Sequence, residues 1–256
     1  MSEPPQKSAT WVLLRGLIRD RRHWGEFAQR FAAGLGGADV LALDLPGNGE
    51  LNHQDSPTTI AGMVAYARAE LGRRGIAPPY RLLAMSLGGM VATAWADAHP
   101  QEIAAMVLVN TSLRPLSPFW QRLRPQAYPT VVRLLLNPDA RHGEAAILRL
   151  TSSRAAERSV VLDDWIAWRL ARPVSRGNAL RQLLAALRFR APRRAPAPPT
   201  LVLVGLGDRL VDPRCSQRLA RRWQCAIAAH PDAGHDLPLD DADWVIAQVR
   251  GWTHAV

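Results

Sequence analysis

The sequence predicts an α/β fold: a mostly parallel central sheet flanked by helices, with a helical insertion late in the core. Three observations lead there. Short apolar runs alternate with amphipathic stretches of helical period, the pattern of repeated βα units. The chain has 256 residues, 48% of them apolar, enough to bury one large core. Between Asn110 and Pro199 the alternation stops, and only helical periods bounded by loops remain.

In chain order, residues 11–14 (WVLL) read as a strand and 23–35 as a helix. Residues 39–43 read as a second strand running into the turn DLPGNG, with Asp44, Pro46, Gly47 and Gly49 as turn residues. Residues 59–71 are helical, with Thr58 or Thr59 as the cap. A strand over 80–84 leads into a helix over 87–99 that Pro100 stops, and 103–109 is the next strand. In the insertion, helices are expected over 119–123, 129–136, 143–150, 157–170 and 178–189, followed by RAPRRAPAPP. A strand over 200–204, a helix over 213–223, a short strand over 226–230 and a helix over 240–254 close the chain. The core is therefore expected over 1–111 and 196–256, and the insertion over 112–195.

Composition narrows the function classes. The formal net charge is +10, and Lys7 is the only lysine, so the basic residues are almost all arginine. They are scattered, with no zinc-finger spacing and no arginine-plus-aromatic motif, so no specific nucleic-acid partner is expected. Cys215 and Cys225 lack metal-ligand spacing and make no disulfide framework; both are expected to be reduced and structural. The N-terminal MSEPPQKSAT lacks the charged and apolar regions of a secretory leader, and no apolar run is long enough to span a bilayer. A cytoplasmic protein is expected.

The chemistry concentrates around Ser86. The segment Ala84-Met85-Ser86-Leu87-Gly88 ends a strand and opens a helix, the context of a nucleophile elbow. Such a turn needs small neighbours, which Gly88 and Ala84 supply. It also puts the Leu87 amide at the positive end of a helix, where an oxyanion is stabilised. The plainer explanation is a serine that caps the helix.

A serine hydroxyl needs a base, and the base an orienting acid. Of seven histidines, His235 lies in the loop DAGHDLPL between the last strand and the last helix, where this architecture keeps its chemistry. His230 and His99 read as structural or surface residues; His23 is a weak candidate for the pocket wall. For the acid, Asp208 follows a strand directly. Asp212 precedes Pro213 and a helical pattern, so helix capping accounts for it.

The order Ser86, Asp208, His235 is that of α/β-hydrolases. The chain resembles that superfamily over essentially its whole length. The matching segments are LLRGL after the first strand, DLPGNG after the second, AMSLGG at the elbow, GDRLVDP before the acid's helix and GHDLPL at the base. The resemblance implies a helical lid over 112–195 and a second oxyanion donor, the Leu17 amide, after Arg15-Gly16. Arg15 stands where the family commonly has histidine. It either shapes that loop through its own hydrogen bonds or faces the pocket and pairs with an anionic substrate group. Among the lid aromatics, Trp120 and Trp165 are candidates for the pocket wall, although the three-residue spacing of Trp165 and Trp168 is also that of core packing.

The expected function is that of a serine hydrolase cleaving a carboxylic ester, or related acyl bond, of a small molecule through an acyl-enzyme. No cofactor and no metal are expected. The same resemblance covers C–C hydrolases, acyltransferases and non-catalytic small-molecule receptors. Dehalogenase-like chemistry is disfavoured because position 86 is serine rather than aspartate.

Overall fold

The computed structural model describes residues 9–136 and 139–255, so Lys7 and most of the N-terminal segment lie outside the described residues. Six strands form one sheet in the order β2-β1-β3-β4-β5-β6: β1 (Trp11–Leu14), β2 (Val40–Leu43), β3 (Tyr80–Met85), β4 (Ile103–Val109), β5 (Thr200–Gly205) and β6 (Ala226–His230). Every neighbouring pair is parallel. Parallel strands are covered on both faces, which is why they read as continuous apolar runs. In β1, Val12 and Leu14 enter one core layer with β3 residues Leu82 and Ala84. Trp11 and Leu13 enter the opposite layer with Leu83 and Met85.

Helices α1 (Phe27–Gly34), α2 (Ile60–Arg73) and α3 (Leu87–Ala98) alternate with the first strands. Thr59 caps α2, its side chain accepting from the Gly62 amide at 3.1 Å. The helix expected over 23–35 is split in two. A 3-10 turn over Arg21–Trp24 ends at Gly25, whose φ of +52° stops it before α1 begins.

Between β4 and β5 the described residues hold helices and no strand: α4 (Phe119–Arg122), α5 (Tyr128–Leu136), α6 (Ala140–Thr151), α7 (Val161–Ala171) and α8 (Arg176–Arg188). After β5 come α9 (Arg214–Trp223), then α10 (Leu237–Asp240) and α11 (Ala242–Thr253) around the C-terminal strand's exit. The last helix, expected from residue 240, begins at Ala242 because the Asp241 carboxylate caps it through the Trp244 amide at 2.9 Å. Cys215 and Cys225 are both free thiols, and burial pushes Cys215 up to about 11, which keeps it unreactive. Among the described residues no helix is long and apolar enough to cross a membrane.

Buried polar contacts fasten the helical insertion to the core. Gln182 of α8 accepts from the Ile18 amide at 2.9 Å and donates to Asn48 and to Ser56 Oγ at 3.0 Å each. Asp240 accepts from the hydroxyl of Ser152, from the amide and hydroxyl of Ser153, and from the Gly234 amide. Glu144 of α6 pairs with Arg19 at 2.7 Å and with Arg169 at 3.2 Å. His23 meets Trp165 and Trp168 of α7, ring centroids 5.7 and 5.3 Å away.

This junction is pH-sensitive. Burial, reinforced by the Arg19 cation, lowers His23 to about 4. The unfolded chain therefore binds a proton there, between about pH 6.5 and 4, that the folded chain does not. The stability held by the neutral ring is complete above that window and is lost as pH falls through it, by about 3 kcal/mol. Urea unfolding at pH 7 and pH 4 is expected to show wild type losing about 3 kcal/mol more on acidification than H23Q. Equal losses would overturn this account.

Candidate active site

The order of the strands places the site. The chain steps from β1 outward to β2, then back across to β3, so the carboxyl ends of β1 and β3 flank the point where strand order reverses. Open parallel sheets bind ligands in the crevice at that point. Ser86 leaves β3 there, and Arg15-Gly16-Leu17 leaves β1 beside it.

Ser86 has φ +55° and ψ −114°, an unfavourable conformation for a residue with a side chain. Its amide donates to the Val109 carbonyl at 3.0 Å, which ties the turn to the end of β4. The turn sits tight against β1. A Cβ on Gly88 would come 2.5 Å from the Leu14 carbonyl oxygen and 2.7 Å from that of Arg15, both rigid backbone atoms. A Cβ on Gly16 would meet the Ser86 Cβ at 3.2 Å. The first turn of α3 and the loop after β1 are thus in direct contact. The Leu87 amide opens that first helical turn at the positive end of α3, and the Gly89 amide donates back to the Ser86 carbonyl at 3.0 Å.

His235 follows β6 and is buried. Its Nδ1 lies 2.7 Å from Asp208 Oδ2. Asp208 Oδ1 accepts from the amides of Leu210 (2.8 Å) and Val211 (2.9 Å), so the carboxylate is held at both oxygens. The His235 loop is fixed from beneath by Asn110. Asn110 Nδ2 donates to the carbonyls of His235 (2.8 Å) and Gly234 (3.0 Å), while its Oδ1 accepts from the Gly205 amide at 2.9 Å. Among the described residues the Ser86 hydroxyl makes no hydrogen bond.

Ser86 and His235 border one cavity of about 350 Å³, together with Arg15 and Leu17. Its remaining wall comes largely from the insertion, including Ile147, Leu150, Trp168 and Leu183. His23, a weak candidate from the sequence, lines it too. The two tryptophans expected at the pocket lie elsewhere. Trp120 is half exposed and packs edge-on against Phe119, with ring centroids 5.1 Å apart. Trp165 is buried in the insertion's own small core with Ile147 and Leu148, and the Arg19 guanidinium lies 4.4 Å over its ring. Trp168, three residues on, is the one that faces the cavity: a three-residue step on a helix decides between packing and pocket, and the spacing alone does not say which ring is which.

Arg15 borders the cavity but is already engaged. Its guanidinium forms a two-point ion pair with Asp236, Nη1–Oδ1 3.1 Å and Nη2–Oδ2 2.6 Å. Its side chain is thus hydrogen-bonded to the loop that carries His235 while it borders the cavity. Sequence reasoning missed Asp236 and Asn110. Asp236 reads as a helix-start residue, and Asn110 as a strand end; the positive φ of Asn110, +47°, is visible only in the fold.

Asp212 behaves as a capping residue, accepting from the Arg214 amide at 2.9 Å and pairing with its guanidinium. His230 is structural: its Nδ1 accepts from the amides of Asp232 and Ala233, and Nε2 contacts Asp241.

Comparison with known proteins gives a consistent picture. The chain superposes on the putative non-heme bromoperoxidase BpoC of Mycobacterium tuberculosis with TM-score 0.77 and 22% identity, covering 97% of this chain and 92% of that one. A thermophilic esterase from Thermogutta terrifontis gives TM-score 0.75 and 23% identity, covering 97% and 90%. An enol-lactonase from Burkholderia xenovorans gives 0.76 and 20%, covering 98% and 94%. At such identities the likeness is one of fold. By sequence, the biotin biosynthesis bifunctional protein BioHC of Teredinibacter turnerae is 29% identical over 112 residues, 43% of this chain; the match spans only 19% of that curated relative's length. The family described as alpha/beta hydrolase fold matches residues 12–242, from β1 to the start of α11. A match over that much of the sheet and its helices places the chain in a family: the protein belongs to the alpha/beta hydrolase fold.

Proposed function

We propose that the protein is a serine hydrolase that cleaves a carboxylic ester of a small molecule through an acyl-enzyme, with Ser86 as nucleophile, His235 as base and Asp208 as orienting acid. The observation that carries this reading is the 2.7 Å contact from His235 to a doubly anchored Asp208, on an imidazole that shares its cavity with Ser86.

Ser86 Oγ attacks the ester carbonyl as His235 Nε2 takes its proton. A C–O bond forms, and the carbonyl π electrons move to oxygen. The amides of Leu87 and Leu17 donate to that oxyanion. Asp208 holds the ring by Nδ1 and stabilises the imidazolium. The tetrahedral adduct collapses, and the leaving alkoxide departs with the proton from Nε2. Water then repeats the sequence on the acyl-enzyme and releases the carboxylic acid. Each step uses groups of this chain.

Helices α4 to α8 act as the lid, and the apolar wall of Ile147, Leu150, Trp168 and Leu183 holds the acyl chain. The esterase and enol-lactonase that share the fold support an ester-like substrate.

A fluorophosphonate probe is expected to label the wild-type chain one to one and to leave S86A unlabelled. Absence of labelling on folded wild type would favour a receptor and overturn the enzyme. On a series of p-nitrophenyl esters, S86A and H235A are each expected to lose on the order of 10⁶ in kcat. Labelling without turnover of any ester in the series would point instead to acyl transfer or C–C hydrolysis on the same serine.

The acid has its own signature. D208N keeps the side-chain shape but no longer imposes the right tautomer on His235. It is expected to lower kcat by about 10⁴ with the melting temperature little changed, measured by steady-state kinetics beside thermal unfolding. A D208N variant with near wild-type kcat would remove Asp208 from the mechanism.

A further inference from the structure

Arg15 leaves β1 two residues before Leu17, and Asp236 follows His235 directly. The two lie 221 positions apart in sequence, yet their side chains form a two-point fork at 3.1 and 2.6 Å. Both side chains are only 4% exposed. The Arg15 guanidinium also lies 4.7 Å over the Trp24 ring, which limits its freedom further. Asp236 is held from the other side as well: its amide donates to the Thr151 carbonyl at the end of α6, at 2.7 Å.

An ion pair this deep is a poor stabiliser, because removing both charges from water offsets most of their attraction. Burial pushes the Asp236 carboxyl up, and the Arg15 charge more than offsets that, so the group sits below the usual carboxylate range. The pair is therefore ionised and rigid. What it provides is geometry. A planar guanidinium on a carboxylate fixes distance and angle together, as a lysine or a single hydrogen bond would not.

The rest of the site shows what needs fixing. Ser86 is pinned to β4, and the base loop to Asn110. The loop after β1 packs against Gly88, and the neighbouring Ile18 amide reaches Gln182 of the insertion. Among the described residues, Arg15–Asp236 is the side-chain hydrogen bond that joins the Leu17 segment to the His235 segment.

We propose that the Arg15–Asp236 pair is a positioning clamp that holds the oxyanion loop at a set distance from the base loop, so that the Leu17 amide and His235 address the same tetrahedral adduct at Ser86. The inference rests on the serine-hydrolase reading above. Neither residue touches the reacting atoms; both act through the loops they join.

The test separates positioning from mere folding. R15M/D236L removes both charges and leaves no unpaired ion, so it avoids the penalty of a single substitution. R15K is the second variant: it keeps the charge and loses the fork. Thermal unfolding identifies the folded protein. Steady-state kinetics use the best p-nitrophenyl ester, and an alkyl boronic acid, which forms a tetrahedral adduct on serine, serves as the transition-state probe. For folded R15M/D236L, kcat is expected to fall by about 10²-fold with KM unchanged, and the boronate inhibition constant to rise in parallel. R15K is expected to fall between it and wild type on both readouts.

Wild-type kcat and boronate affinity in either folded variant would overturn the clamp, as would a lowered melting temperature with both readouts unchanged. Those outcomes leave the hydrolase standing. A wild-type chain that neither reacts with fluorophosphonate nor turns over any ester would remove the hydrolase reading, and this inference with it.

Discussion

The contact between the first turn of α3 and the end of β1 is the constraint from which the rest of the site follows. Gly88 lies against the carbonyls of Leu14 and Arg15, and a methyl group there would collide with backbone. That approach presses the Ser86 turn against the loop carrying Leu17. It sets the positive end of α3 beside the loop after β1, at the same edge of the sheet as the serine side chain. The strained φ of Ser86 is the local cost, of order 1–3 kcal/mol. It persists because β3 and α3, on either side of the turn, are buried almost throughout and over-determine its path.

The other half of the site is organised by polar side chains in an apolar surrounding. Asp208 and Asn110 are fully buried and satisfied by specific partners. A buried polar group without partners is expensive, so each such network has essentially one low-energy arrangement. This is a good way to hold an imidazole in place: Asn110 fixes the backbone of residues 234 and 235, and Asp208 fixes the ring. The Arg15–Asp236 pair extends the same logic across to the serine's side of the cavity.

The insertion uses the same device at larger scale. Its attachment to the core runs through Glu144, Gln182, Asn178 and the serines bound by Asp240, not through apolar packing alone. Polar junctions specify register more sharply than apolar ones, since a slipped contact leaves charges and amides unpaired. These contacts tie the roof of the cavity to the core, while its inner surface remains largely apolar.

Much of this was legible in the chain. Strand and helix positions came from the period of apolar residues, because a sheet buried on both faces demands continuous apolar runs. Ser86, Asp208 and His235 each stood out as a reactive type placed just after a strand. The tertiary structure decided what depends on direction rather than position. It turned Trp168 and not Trp165 toward the cavity, left Trp120 outside it, and engaged Arg15 with a carboxylate 221 residues away. The break at Gly25 also needed coordinates, since helical periodicity continues across it. Local pattern determines which face a residue occupies, because burial favours apolar groups wherever they fall along the chain. Which partner that face meets is set by packing between distant elements, and no local pattern encodes it.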